Sequence, residues 1–240
     1  MNEESSQSIK SVLLLGHTSS LANEIIAFAR QEGYEIEATR RGPVTSRDEL
    51  TTLKYHELDL EDEESVKKFL SKIRQNRYER VICLIGKTYN SFSGSKELKD
   101  VQRYFNIYCS RLFYLIAQIC ENNLLEKEIS QVTVLSSRAY KYASFDPYYS
   151  AVKGATTSFV RSLSAKLGMN RNLVSLSPGL IIGSKMEGEM TKNSLESHLR
   201  RSDYLLLSVK EASNEIWKKS LIRKSSSENQ TDYVIGPEYI

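Results

Sequence analysis

Cysteine is scarce in this chain of 240 residues, which has three. Cys83, Cys109 and Cys120 stand in apolar surroundings, and none forms a C-x-x-C pair. That argues against a disulfide framework or a metal site and for free thiols in a reducing cytoplasm. Long apolar runs are missing too: Val12 to Leu15 and Leu205 to Leu207 fall far short of a membrane span. The opening Met1-Asn2-Glu3-Glu4-Ser5 is acidic and polar, the opposite of a secretory leader. Nor does one charge dominate. Lys and Arg number 33 against 30 Asp and Glu, a formal net charge of +3. The signs alternate without a basic block, so nothing here asks for nucleic acid. What is present is ordinary for a globular domain: 40% hydrophobic and 26% charged residues. Such a length fills one core and is short for two, so residues 1–240 are expected to form a single domain with a polar tail at 1–10.

Ser11 to Leu15 is too brief for a helix and ends at Gly16, which predicts a buried strand. Ser20 to Gln31 has Leu21, Ile25, Ile26 and Ala29 on one helical face, and Gly33 stops it. The same reasoning predicts strands at 34–39, 55–60, 80–85, 131–136, 173–176 and 232–235. Helices are expected at 63–74, 98–122, 148–167 and 211–222. Short, continuous apolar strands alternating with helices are the pattern of βαβ crossovers. They predict an α/β doubly wound, Rossmann-like parallel sheet of about seven strands, with helices on both faces. Residues 183–210 break the rhythm with Ser, Glu, Lys and two glycines, and read as a substrate-loop excursion.

In such a sheet ligands sit at the carboxyl ends of the strands. The first such end, Gly16-His17-Thr18-Ser19-Ser20-Leu21-Ala22, opens directly into a helix, whose free N–H groups and positive dipole end suit a phosphate. Only one of the three glycines of a phosphate loop is present, so an ordinary capped turn is the competing explanation. A second constellation follows the fifth strand: Ser136-Ser137, then Tyr149 and Lys153, four apart on one helical face. A nearby ammonium favours the phenolate, which lowers a tyrosine toward a useful acid–base range.

These residues resemble the short-chain dehydrogenase/reductase family over nearly the whole chain. Tyr149 and Lys153 match its Tyr-x-x-x-Lys motif, Ser137 its serine, and Asn106 in Tyr104-Phe105-Asn106-Ile107-Tyr108 its asparagine. Pro178-Gly179 resembles the turn beside the nicotinamide, and Asp59-Leu60 the strand end that approaches the adenine. Gly16 to Ala22 resembles Gly-x-x-x-Gly-x-Gly, with Ser20 and Ala22 in the last two glycine positions. Departures are equally visible. The family's Asn-Asn-Ala-Gly reads Cys83-Leu84-Ile85-Gly86, and the serine-to-tyrosine spacing is one short, which keeps Ser136 as a candidate beside Ser137.

The resemblance implies an oxidoreductase that interconverts a carbonyl and a secondary alcohol, with Asn106, Ser137, Tyr149 and Lys153 as its catalytic group. It also implies a dinucleotide held by Gly16, Thr18, Ser19, Ser20, Leu21, Asp59, Leu60, Gly86, Tyr149, Lys153, Pro178 and Gly179. The second strand ends in Arg40-Arg41 rather than an acid, which points to NADP over NAD. The degraded glycine loop keeps a rival open, a non-catalytic dinucleotide-binding sensor or scaffold. An epimerase or dehydratase fits less well, because those relatives usually carry a longer substrate portion. Tyr89, Phe92, Tyr140, Tyr142 and Phe145, with Lys87, Arg138, Lys141 and Lys185, are expected near a polar or anionic small-molecule substrate with a flat or apolar part. Apolar residues all round the 98–122 helix predict a homodimer or homotetramer.

Overall fold

The computed structural model describes residues 10–43, 53–122, 130–141, 144–168, 172–188, 190, 195–196, 206–221 and 231–235. Of the sequence expectations, residues 1–9 of the tail, Tyr142, much of the 183–210 excursion and Ile222 lie outside the described residues.

The strands are β1 (Ser11–Leu15), β2 (Glu35–Arg40), β3 (Lys54–Glu57), β4 (Arg80–Cys83), β5 (Gln131–Leu135), β6 (Asn172–Pro178) and β9 (Asp232–Ile235). They form one parallel sheet in the order β3-β2-β1-β4-β5-β6-β9. Val12 pairs with Ile36 on one side and with Arg80 on the other. The chain winds outward from β1 through β2 to β3, then crosses back to β4. The reversal puts a crevice beyond the carboxyl ends of β1 and β4.

Side chains of β1 alternate between the two faces, and both are covered, so the strand is a continuous apolar run. Leu13 and Leu15 enter one core with Val81, Cys83, Val132 and Val134. There they meet α2 (Glu63–Ile73), α5 (Leu112–Glu121) and α6 (Pro147–Leu167). Val12 and Leu14 enter the other core with Ile36, Ala38, Ile82 and Leu176, under α1 (Ser20–Gln31) and α8 (Val209–Lys219). Local chemistry sets the helix starts. Ser19, Asp62, Asp146 and Ser208 each cap one, Pro147 opens α6, and Ser208 with Glu211 closes a capping box.

The structure differs from the sequence expectation in several places. The third strand ends at Glu57 and the fourth at Cys83, so Leu58–Leu60 and Leu84–Gly86 are free to line the crevice. A short helix, α3 (Tyr89–Phe92), is inserted after β4. The 98–122 helix is broken into α4 (Leu98–Phe105), a π-helical turn (Asn106–Arg111) and α5. Within the excursion, α7 spans Lys185–Gly188, and β7 (Ile181–Ile182) pairs in parallel with β8 (Leu207–Ser208).

Two polar networks are sealed into this frame. Arg80 is 4% exposed, and its guanidinium lies 3.7 Å over the Trp217 ring. It donates to the Trp217 carbonyl, the Ser220 hydroxyl and the Tyr34 phenol. Glu37 faces away from the crevice and accepts from His56, Lys54, Tyr78 and Asn76. Burial opposes its charge, but the hydrogen bonds from His56, Lys54 and Tyr78 outweigh burial and pull its pKa from 4.5 to about 2. A carboxyl depressed on folding stabilises above its unfolded value and loses that contribution as pH falls through the folded value. Stability is therefore expected to drop between pH 4.5 and about 2. A Glu37→Gln variant should be less stable at pH 7, by up to about 3 kcal/mol, and flatter in that acid window. Urea midpoints across pH check both.

Candidate active site

At the strand ends a cleft of ≈ 510 Å³ is lined from Gly16 on one side to Met190 on the other. Gly16 has φ +90°, and a Cβ there would stand 3.1 Å from Ile85 Cγ1 and 3.3 Å from Ile85 N. A side chain would thus be strained twice, by conformation and by space. Thr39 braces the turn: its hydroxyl accepts from Gly16 N at 2.9 Å, and its carbonyl accepts from His17 N at 3.2 Å. Ser19 caps α1 by accepting from Ala22 N at 3.1 Å. Helix N-termini leave their first N–H groups without intrahelical partners, and the cleft-lining Thr18, Ser19, Ser20 and Leu21 present that end to it.

Arg40, Arg41, Leu58, Asp59, Leu60 and Glu61 line the end beyond β2 and β3. Arg41 pairs with Asp59 at 3.1 Å and Glu61 at 2.8 Å, while Glu61 also meets Arg103. Asp59 is fixed by its own loop, accepting from Glu61 N and donating its N–H to Ser65.

At the other end Tyr149 and Lys153 project from α6 toward Ser137 and Gly86. The Ser137 side chain stands beside the Tyr149 phenol and works its pKa downward, while Ser137 Oγ accepts from Ala139 N at 3.2 Å. Ser136 is engaged elsewhere, within 3.1 Å of the Lys153 carbonyl and 2.8 Å of Thr157 Oγ1. Geometry therefore favours Ser137 of the two serines. Lys153 Nζ donates to the Leu135 carbonyl at 2.8 Å and stands 5.6 Å from the Tyr149 ring centroid. Gly86 makes room for it, since a Cβ there would lie 3.0 Å from Nζ.

Electrostatics here differ from the sequence expectation. Burial pushes the Tyr149 phenol up to about 12; the neighbouring Ser137 hydroxyl works downward and the Asp146 carboxylate upward. The expected lowering by Lys153 is absent, because its ammonium is turned to a carbonyl rather than to the phenol oxygen. Burial likewise pulls Lys153 down to about 8, opposed by the Cys83 and Cys109 thiols.

Of the expected site residues, Gly16, Thr18, Ser19, Ser20, Leu21, Arg40, Arg41, Asp59, Leu60, Gly86, Ser137, Tyr149, Lys153, Pro178 and Gly179 all line this cleft. Asn106 does not. It opens the π-helical turn, its side chain is exposed, and the next two residues, Ile107 and Tyr108, reach the cleft instead. Among the expected substrate neighbours, Lys87, Arg138, Phe145 and Lys185 line the cleft, whereas Tyr89, Phe92, Tyr140 and Lys141 do not. Tyr89 and Phe92 belong to an aromatic cluster with Tyr104, and the Tyr140 phenol is hydrogen-bonded to Asp232. Sequence reasoning missed Thr39, Ile107 and Tyr108, for which no motif exists, whereas Met186 and Met190 fall within the excursion expected to meet the substrate. Among the described residues no helix could span a membrane, and no group of His, Cys, Asp and Glu could hold a metal ion.

A family model described as enoyl-(acyl carrier protein) reductase matches residues 16–207. A search of curated proteins finds no match. Among solved structures, "ElxO with NADP Bound" superposes with a TM-score of 0.71 at 15% identity, covering 95% of this chain and 97% of that one. A short-chain dehydrogenase/reductase from Serratia marcescens gives 0.76 at 10% identity, with coverages of 94% and 96%. A short chain dehydrogenase family protein from Francisella tularensis gives 0.72 at 14%, with 95% and 97%. At such identities the structural likeness speaks for the fold. The family match spans most of the sequence and adds descent: the chain belongs to the short-chain dehydrogenase/reductase family of NAD(P)-dependent oxidoreductases.

Proposed function

We propose that the protein is an NADP(H)-dependent oxidoreductase that interconverts a carbonyl and a secondary alcohol. The observation that carries this reading is that Ser137, Tyr149 and Lys153 come together at one end of a cleft whose other end is a glycine-turned helix N-terminus. When bound, the dinucleotide supplies hydride chemistry at its nicotinamide. The residues present fit such a group. Gly16 leaves open the space a Cβ would fill against Ile85, and the first turn of α1 offers N–H donors to a pyrophosphate. Asp59 and Leu60 would hold its adenine end, and Lys153, Gly86 and the Pro178-Gly179 turn would hold its nicotinamide end. Ser137 holds and polarises the substrate oxygen. Tyr149 keeps its proton at neutral pH and gives it to that oxygen in reduction.

Support for NADP over NAD comes from β2. Its last residue, Arg40, lines the cleft with Arg41, while neither of its carboxylates does: Glu37 is tied to His56 and Lys54, and Glu35 opens the strand. No acid from β2 is left to repel a 2′-phosphate. A 2′-phosphate would compete with Asp59 and Glu61 for Arg41. Lys87, Lys185, Phe145 and Met186 on the flanking walls suit a polar or anionic carbonyl compound with an apolar part.

Titrating the protein with NADPH and NADH, read by dihydronicotinamide fluorescence, should give tighter binding of NADPH and a narrower preference in Arg40→Ala/Arg41→Ala. A carbonyl panel should then drive NADPH oxidation. NADPH that binds and is never oxidised would overturn the enzyme reading in favour of a sensor or scaffold. Gly86→Ala should lower kcat by about 10–100-fold, because its Cβ displaces the ammonium of Lys153 while leaving the fold intact. Steady-state kinetics beside a thermal melt check this.

We also propose a homodimer or homotetramer built on α4, α5 and α6. Leu98, Tyr114 and Tyr148 on these helices are 70%, 49% and 39% exposed, and a symmetry mate would cover them. Light scattering should give at least twice 27.4 kDa; a monomer mass with full activity would contradict it.

A further inference from the structure

Charge is sorted along the cleft. Among the described residues its lining carboxylates are Asp59 and Glu61, and Arg41 pairs with both. The proton-transfer end is lined instead by Lys87, Arg138, Lys153 and Lys185, with no carboxylate of the described residues in that lining. Two of these cations serve the frame: Lys153 donates to the Leu135 carbonyl and Arg138 to the Ile235 carbonyl. Lys87 and Lys185 form no ion pair with any described residue. Lys67 and Lys166, by contrast, stand on exposed helix faces and have acidic partners.

Lys87 is the more firmly placed of the two. Its backbone carbonyl accepts from the Tyr104 phenol at 2.6 Å, and the next residue, Thr88, is buried and caps α3. Asn90 N then donates to Asp146 Oδ2 at 3.1 Å, while Asp146 Oδ1 accepts from Tyr149 N. The lysine's backbone is therefore fixed relative to the helix that carries the phenol. A half-buried ammonium without a counter-ion forgoes part of its hydration, which an incoming anion offsets. The low-dielectric walls of a cleft strengthen that attraction. Lys185, exposed at the start of α7, adds a second cation, and Met186 follows it into the lining. Phe145 lines the same cleft with its ring 40% exposed, an apolar surface left open to an occupant.

We propose that the carbonyl substrate carries an anionic group, a carboxylate or a phosphate, which Lys87 grips while the apolar part lies against Phe145 and Met186. This deepens the oxidoreductase reading above and rests on it. Holding the anion on a fixed wall orients the carbonyl toward Ser137 and Tyr149.

The test compares oxo acids with their methyl esters, and oxo phosphates with the corresponding alcohols, in NADPH-dependent reduction. In the wild type kcat/KM should favour an anion over its neutral counterpart by about 10–100-fold, the range of one charged hydrogen bond. The two series tell a carboxylate from a phosphate. Lys87→Gln should bring the ratio close to one, and Lys87→Arg should retain most of it. Binding is read separately by calorimetry, with hydroxy acids and their methyl esters titrated into the NADPH-loaded protein, where no turnover can occur. The hydroxy acid should bind more tightly than its ester, and Lys87→Gln should remove the difference. Neutral compounds that are bound and reduced as well as the anions overturn the proposal, as do hydroxy acids that fail to bind, whether or not the variants fold. An anion preference that survives in Lys87→Gln overturns it too. So does a Lys87→Gln protein that loses NADPH affinity and keeps the ratio, because the ammonium then serves the cofactor. Tighter binding of the hydroxy acid in a protein that reduces no carbonyl overturns the oxidoreductase reading instead.

Discussion

Tyr149→Phe is expected to lower kcat for carbonyl reduction by about 10²–10⁴-fold, the range a positioned general acid supplies. The substitution removes one hydroxyl from a buried ring and leaves the helix cap untouched, because Asp146 accepts from the Tyr149 backbone N–H. The Gly16 turn and the α1 N-terminus lie at the other end of the cleft, so NADPH affinity should stay within about twofold of the wild type. Loss of turnover with retained binding separates proton transfer from cofactor capture. Wild-type turnover in the phenylalanine variant would remove Tyr149 from the chemistry.

Arg80→Ala should be the most destabilising single change in the frame, by about 3–5 kcal/mol. The guanidinium is buried between the rings of Trp217 and Tyr34 and donates to three oxygens. Alanine leaves those acceptors without their donor, removes a desolvated cation–π contact, and opens a cavity between β4 and α8. Glu32, which holds Trp217 Nε1 at 2.7 Å and approaches Arg80 at 3.6 Å, loses half of its purpose there. Urea unfolding should show a lower midpoint at unchanged slope. A change within about 0.5 kcal/mol, typical of exposed positions, would contradict this account of Arg80.

The layered frame was legible because its signals are local and repeated. Val12 to Leu15 is apolar on both faces, and Leu21, Ile25, Ile26 and Ala29 keep one helical stripe, so each element could be found without its neighbours. That Tyr149 and Lys153 share the cleft was legible for the same reason: they are four apart on one helix, and regular geometry sends both the same way. The placement of Asn106 was less legible, because matching a residue type does not tell its face. The π-helical turn that begins there shifts the register, and Ile107 and Tyr108 take the cleft-facing positions. Aromatics in loops were equally opaque. Phe145 lines the cleft, but Tyr89 packs edge-on against Tyr104 and Tyr148, a tertiary contact that no spacing announces. Asp146 caps its own helix locally but also accepts from Asn90 N, a contact distant in sequence. The lysine's effect on the tyrosine was also beyond reach, because it depends on whether Nζ meets the phenol or the Leu135 carbonyl.

The central claim is that this cleft transfers hydride to a carbonyl carbon while Tyr149 protonates its oxygen. The most direct measurement is to supply NADPH deuterated at the transferring position of C4 with a carbonyl panel, and to locate the label by mass spectrometry and NMR. Deuterium on the carbinol carbon of a product, formed by the wild type and suppressed by about 10²-fold or more in Tyr149→Phe, is the predicted result. Bound NADPH that retains its deuterium with every carbonyl offered would contradict the account.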